Sequence, residues 1–473
     1  MKNTFLHIPG FRQWTYLLVL IITFSSCRKF VTVENPPNIL TSDKVFTNDK
    51  SATSAMLSVY ISMMNDQYGS SGSFVCFSMS ALAGMSANEI TWTQNNTTAP
   101  TFQQFSDHGL TPDNRYVGSF WSDGYKYIYR VNAIIEGLKT ATGMTDSVKT
   151  QLAGEARFMR AFCYFYLVNL FGDVPLVLDT KYQENMLLPR TPATAVWEQI
   201  INDLKDARSL LTDKYPTGER LRPNRYTAAA LLARAYLYNN RWLEAENEAS
   251  FIINSGMYGA SLPALEQVFK KESPEAIWQL QPVIANANTT EGGQFLTTPN
   301  TRPNYELTPQ LLNAFETGDN RKTAWIGFSS ADNPSWAYAA KYKAGSGALT
   351  EYYIVFRLTE QYLIRAEARA HQAGKVTAAQ ADLNVVRSRA GLDPTIAADQ
   401  AALLLAVEKE RQSEFFAEWG HRWLDLKRTH RAEAVLKPLS PPDTWKPGSV
   451  LYPVPDMEIK ANPRLTQNDA YLN

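Results

Sequence analysis

Cysteine and histidine are scarce in this chain, at 3 and 5 residues. Three thiols cannot staple a disulfide scaffold of 473 residues, and no CxxC or Cys/His cluster offers metal-ligand spacing. HExxH, GxSxG, Walker and dinucleotide-glycine patterns are missing as well, so the sequence offers no metal, no cofactor and no catalytic residue set. Charge of one sign is also missing. Lys+Arg and Asp+Glu both number 46, which leaves no long-range pull on phosphate backbones and excludes nucleic acid as an expected partner. The N-terminal apolar run from Trp14 to Phe24 is well short of the roughly 20 residues that a membrane-crossing helix needs. What remains, at 45% hydrophobic and 12% aromatic, is a packed globular protein.

That short run has the form of a targeting segment. Lys2 and Arg12 precede it, and Ser25-Ser26-Cys27 follows it. Small residues directly before a cysteine resemble a bacterial lipoprotein cleavage site. Residues 1–26 are therefore expected to be a lipoprotein signal peptide, with Cys27 acylated as the first mature residue. The two remaining thiols, Cys76 and Cys163, sit among aromatic and aliphatic neighbours; they are expected as buried free thiols, with one disulfide as the alternative.

Helical periodicity dominates the mature chain. Its clearest unit is Tyr226 to Gly256, where Thr227 to Tyr238 and Trp242 to Asn254 read as two helices turned by Asn239-Asn240. Ala233 and Ala245 allow close approach, the logic of a tetratricopeptide pair. The Arg234-Ala235 step of this unit is echoed at Arg160-Ala161 and Arg365-Ala366, offsets of 74 and 131 residues that fit no 34-residue repeat. Further helices are expected at Asp49 to Met64, Tyr116 to Leu138, Ala193 to Leu211, Ala378 to Arg389 and Ala401 to Trp419. Three long tracts, Ser70 to Asn114, Pro274 to Thr308 and Asn320 to Thr350, read as irregular insertions rich in large aromatics.

Two chemistries make different demands on these residues. Glu410, Glu414 and Glu418 fall on one helix face about 6 Å apart, whereas glycoside hydrolysis needs carboxyl groups on opposite sides of the scissile bond. An ion-pair network with Arg411 and Arg422 is the expected role. Sugar binding asks for something else, an apolar ring face beside forked amides. Trp92 with Asn95 and Asn96 meets that demand first, then Trp325 and Trp336, with Tyr305 as a weaker candidate; for each, the alternative is an aromatic that pins its own loop.

Several stretches together resemble the SusD/RagB family of surface glycan-binding lipoproteins of the Bacteroidota. They are Gly172-Asp173-Val174-Pro175-Leu176, the helix pair at 226–256, the series Glu410-Arg411, Glu414, Glu418, Gly420, Arg422-Trp423, Asp425-Leu426 and Arg428, and Tyr452-Pro453-Val454-Pro455 with Glu458, Asn462-Pro463 and Gln467-Asn468. The resemblance implies an all-α body, residues 27–473, of tetratricopeptide-like helix pairs whose loop insertions form the ligand face. Within it, residues 27–220 are the N-terminal part, 221–260 the clear helix pair and 261–473 the C-terminal part. It also implies a non-enzymatic role: capture of an oligosaccharide at the outer membrane and delivery to a SusC-type TonB-dependent transporter. Peptide or glycoprotein cargo is the first alternative, and a tetratricopeptide-like assembly scaffold without small ligand the second.

Overall fold

The computed structural model describes residues 45–65, 75, 77–329 and 335–472; the expectations for Cys27 and Cys76 lie outside them. Twelve longer helices carry the architecture among the described residues. They are α1 (Asp49–Asn65), α2 (Phe77–Ser86), α3 (Ala99–Ser106), α4 (Arg115–Thr140), α5 (Asp146–Phe171), α6 (Ala193–Leu210), α7 (Arg225–Tyr238), α8 (Trp242–Ile253), α9 (Leu358–Ala370), α10 (Val376–Arg389), α11 (Gln400–Phe415) and α12 (His421–Arg428). Six short strands are added: β1 (Ile90–Trp92), β2 (Ala276–Leu280), β3 (Tyr305–Leu307), β4 (Ile326–Phe328), β5 (Ala337–Ala339) and β6 (Tyr353–Arg357). They pair antiparallel as β1–β3, β2–β6 and β4–β5, three two-stranded ladders too small to alter an all-α class.

Helix boundaries follow local chemistry. Asn114 caps α4 by accepting from the Tyr116 amide at 3.0 Å, and Asp399 caps α11 through the Ala402 amide at 2.9 Å. Asn224 and Thr227 form a reciprocal capping box at the start of α7. From α4 to α11 each helix packs on the next in chain order, and α1 lies across α4 and α5. Helix α5 is buried almost all round over its second half, as its unbroken run of apolar and aromatic residues requires. Its Phe158 and Phe162 meet Trp278 of β2 edge-on, with ring centroids 5.0 and 5.3 Å apart, so the fully buried β2–β6 ladder joins the same core. Cys163 is a buried free thiol there.

The three Arg-Ala steps share one structural device. Arg160 of α5 reaches Asp203 of α6 at 2.8 and 2.7 Å, Arg234 of α7 reaches Glu360 of α9 at 2.6 and 2.6 Å, and Arg365 of α9 reaches Asp382 of α10 at 3.0 and 2.6 Å. Each is a bidentate pair buried between helices. The C-terminal tail is tied to the same body. The Tyr452 amide donates to the Leu170 carbonyl at 2.7 Å, and Asn468 Nδ2 to the carbonyls of Phe171 and Tyr452 at 3.0 and 2.7 Å.

Two expectations need correction. Helix α11 stops at Phe415 rather than Trp419, because Ala417, Trp419 and Gly420 take left-handed φ of 53°, 47° and 69°. A Cβ at Gly420 would stand 2.7 Å from that of Ala83, so this turn requires glycine for space as well as for φ. The tracts read as irregular contain α2, α3 and five of the six strands.

The carboxylate column is an ion-pair network, with partners other than those expected. Arg411 pairs with Asp425 and Arg422 with Glu408. Glu410 and Glu414 instead share Arg321 at 2.6 and 3.0 Å, and Glu414 also binds Arg357 and Arg389. Glu418 accepts from Lys341 and, at 3.0 Å, from Arg357. Burial alone would raise the Glu414 carboxyl; Arg389, Arg357 and Arg321 outweigh it and hold the group well below the ordinary carboxylate range. Replacing Glu414 with Ala removes the acid that three buried guanidinium groups share, leaving each with fewer partners, and should cost about 3–5 kcal/mol, measured as a shift in urea midpoint. Glu433→Ala, removing one partner of an exposed pair with Lys437, should leave the midpoint unchanged.

Candidate functional site

The aromatic cluster around Trp92 is built from three elements. After α2, Asn88 turns the chain with φ 55°, and β1 then runs antiparallel to β3 with Ile90 opposite Leu307 and Trp92 opposite Tyr305. Thr93 extends the ladder, its amide reaching the Asn304 carbonyl at 3.0 Å and its hydroxyl the Pro303 carbonyl at 2.6 Å. The chain next turns at Asn96, whose Oδ1 accepts from the Thr98 amide at 3.0 Å, and enters α3. Phe102 of α3 and Tyr305 of β3 hold the Trp92 indole edge-on, with centroids 4.7 and 4.9 Å away. Phe102 stacks in turn on Tyr116 of α4, which ties the cluster to the helical body.

A cleft of about 290 Å³ opens between the end of β1 and α3. Trp92, Gln94 and Asn95 line it from one side, Gln103 and Asp107 from the other. Trp92 is half-buried and Asn95 exposed. Partial burial raises the Asp107 carboxyl, and a hydrogen bond from Gln103 partly offsets it. Amides that donate and accept, beside a carboxylate that accepts, match the adjacent hydroxyls of a sugar, while an indole face matches its apolar C–H surface.

Of the six expected ligand residues, the structure places Trp92 and Asn95 in this cleft. Asn96 is exposed next to it and serves the turn into α3. Trp336 is half-buried just before β5 and is not among the described residues lining the cleft. Trp325 is a correction: its side chain is 1% exposed, Nε1 donates to the Leu265 carbonyl at 3.1 Å, and Lys341 sits over its ring at 4.8 Å, beneath the ion-pair network. An indole so enclosed offers no face to cargo. Tyr305 is a second correction, 4% exposed and packed between Phe77, Phe295 and Trp92 as the support of the platform.

Gln103 and Asp107 are not legible in the sequence as site residues, because α3 lies in a tract whose composition reads as irregular. Pro100 at a helix start, with Phe102 and Phe105 three apart and buried, was the available signal.

The backbone leading into β1 is anchored by a buried acid. Glu89 lies immediately before the strand; its carbonyl accepts from the Thr308 amide at 3.0 Å, and its Oε2 from the Ala417 amide at 3.3 Å, while Oε1 has no partner among the described residues. Burial pushes its carboxyl from 4.5 up to about 8, although the Ala417 amide opposes the shift. Nearby Lys341 is pushed down to about 8, mainly by burial.

A helical body stacked in chain order, with an aromatic and amide-lined cleft carried on its insertions, defines a binding protein scaffold of the tetratricopeptide-like class. The comparisons narrow this. Residues 41–237 match a family model described as starch-binding associating with outer membrane, and residues 322–471 match the SusD family model. The chain belongs to the SusD/RagB family. It is 23% identical to SusD-like protein P25 of Formosa agariphila, covering 96% of this chain and 97% of that one. Among solved structures, a laminarin-binding SusD-like protein superposes with TM-score 0.73 at 24% identity, covering 90% of this chain and 100% of its own. Surface glycan-binding protein A from Bacteroides uniformis gives 0.76 at 20% identity, covering 90% and 100%.

The Glu89 geometry predicts a pH effect of defined sign. Between pH 4.5 and about 8 the folded chain keeps a proton that the unfolded chain has released, so this group lowers stability as pH rises through that window. Glu89→Gln carries no such proton. Its stability relative to the parent protein should climb from pH 4.5 to about 8 and then level off in urea titrations. A difference that does not vary with pH would mean that Glu89 is ionised in the fold.

Proposed function

We propose that this chain is a non-enzymatic, lipid-anchored glycan-binding protein, held by acylated Cys27 on the outer membrane and facing the cell exterior. In this reading it captures an oligosaccharide in the Trp92 cleft and delivers it to a SusC-type TonB-dependent transporter. One observation carries the proposal: an indole fixed edge-on by Phe102 and Tyr305, yet only half-buried, sits beside amides and a carboxylate in an open cleft. The fold shared with a laminarin-binding protein and a surface glycan-binding protein supports it, as does the starch-binding description of the matched family model.

Affinity in such a cleft should be modest. One stacking platform with a few hydrogen bonds corresponds to a Kd of roughly millimolar to micromolar, or about −4 to −8 kcal/mol. Weak binding suits a protein that must release its cargo to a transporter.

Trp92→Ala should weaken retardation by the cognate polysaccharide about tenfold in affinity electrophoresis against a panel that includes laminarin. Trp325→Ala should leave binding intact in the folded fraction and cost about 3–5 kcal/mol of stability, as removal of a buried tryptophan does. If Trp325→Ala abolished retardation while Trp92→Ala did not, the cleft would be misplaced. Separately, Cys27→Ser should move the protein from the membrane pellet to the soluble fraction; a mutant still membrane-bound would argue against the lipid anchor.

A further inference from the structure

The ends of helices α8, α9, α11 and α12 enclose a second cleft, of about 400 Å³, to which none of the elements around Trp92 contributes. Its volume falls within the range of small-ligand pockets. Trp242 and His371 stack with centroids 3.8 Å apart and planes 7° from parallel, forming one wall. Leu404 and Leu405 of α11 line the cleft with them, and Leu405 is 53% exposed.

The polar end holds three arginines with different degrees of engagement. All three nitrogens of Arg428 are engaged: Nε donates to Asp425 at 2.8 Å, and the two terminal nitrogens to Glu367 at 2.5 and 2.8 Å. Arg431, 43% exposed, gives Nε to Glu408 at 3.1 Å, and its terminal nitrogens have no partner among the described residues. Arg411 is 2% exposed; its Nε donates to Asp425 at 2.6 Å and Nη2 lies 3.4 Å from His421 Nδ1, while Nη1 is buried without an acceptor among the described residues. A buried donor left unmade costs about 1–3 kcal/mol, more when charged.

The carboxylates that line this cleft are each already engaged. Asp425 is shared by Arg411 and Arg428, Glu367 is held by Arg428, and Glu408 by Arg422 and Arg431. The charged donors left over are guanidinium N–H groups of Arg411 and Arg431, whose planar fork matches the two oxygens of a carboxylate. We propose that this cleft is a second ligand site, taking a small organic acid. The acid's carboxylate meets Arg411 and Arg431, and its flat apolar body lies against Trp242, Leu404 and Leu405. This proposal does not depend on the glycan reading of the Trp92 cleft.

Benzoate tests the chemistry, with benzamide as the uncharged control of the same shape. Calorimetric titration of the purified protein at constant ionic strength should show saturable benzoate binding, weaker for benzamide by about tenfold, the worth of a charge-assisted hydrogen bond. Arg431→Ala should reduce benzoate affinity by a similar factor, and Leu405→Asp should remove it; both positions are exposed enough for the melting temperature to hold. Equal affinity for benzamide would reduce the cleft to a purely apolar one and overturn the proposal. So would benzoate binding unchanged in both variants, or no saturation by about 10 mM, weaker than a specific site of this kind.

Discussion

The fold depends on guanidinium groups buried between helices and paired there with carboxylates. In a medium from which water is excluded, an arginine without its acid is far more costly than any single apolar contact is favourable. Arg160 with Asp203, Arg234 with Glu360 and Arg365 with Asp382 therefore act as register marks along the stack. Sliding one helix by a turn would keep most of the apolar contact but strand a charge. Glu414 extends the principle from pairs to a hub, because Arg321, Arg357 and Arg389 arrive from three separate segments to share it. The left-handed turn after α11 is fixed by the same network: Glu418 is gripped by Lys341 and Arg357, while Trp419 is held through its amide by Ser80 and through its indole by the Ile354 carbonyl.

This arrangement explains the division between what the sequence discloses and what it hides. The pair α7–α8 was legible because its Ala spacing, its asparagine turn and its periodicity are all local. The echo of Arg-Ala steps was visible too, but not its meaning, since the partner acids lie 17 to 126 residues away. The end of α11 is hidden for the same reason. No Gly or Pro stands between Phe415 and Trp419, and the left-handed conformations there are held by groups on α2, β6 and the segment before β1.

The site was half legible. Trp92 and Asn95 stand together in the chain and stay together in space. Trp325 and Tyr305 lie in segments of similar composition, yet one is sealed beneath a lysine and the other becomes the strand partner of Trp92. Composition identifies a tract that carries aromatics; only the pairing of β1 with β3, more than 200 residues apart, decides which ring faces outward. The same pairing prepares the platform in advance. With the indole already wedged between Phe102 and Tyr305, little freedom remains to be lost when a ligand arrives.

The stitching of the tail to the end of α5 bears on how the molecule is made. Leu170 and Phe171 leave the ribosome some 280 residues before Tyr452, and the carbonyls they offer wait for donors that are made much later. A prematurely terminated product would keep those oxygens bare and the seam beside α5 open.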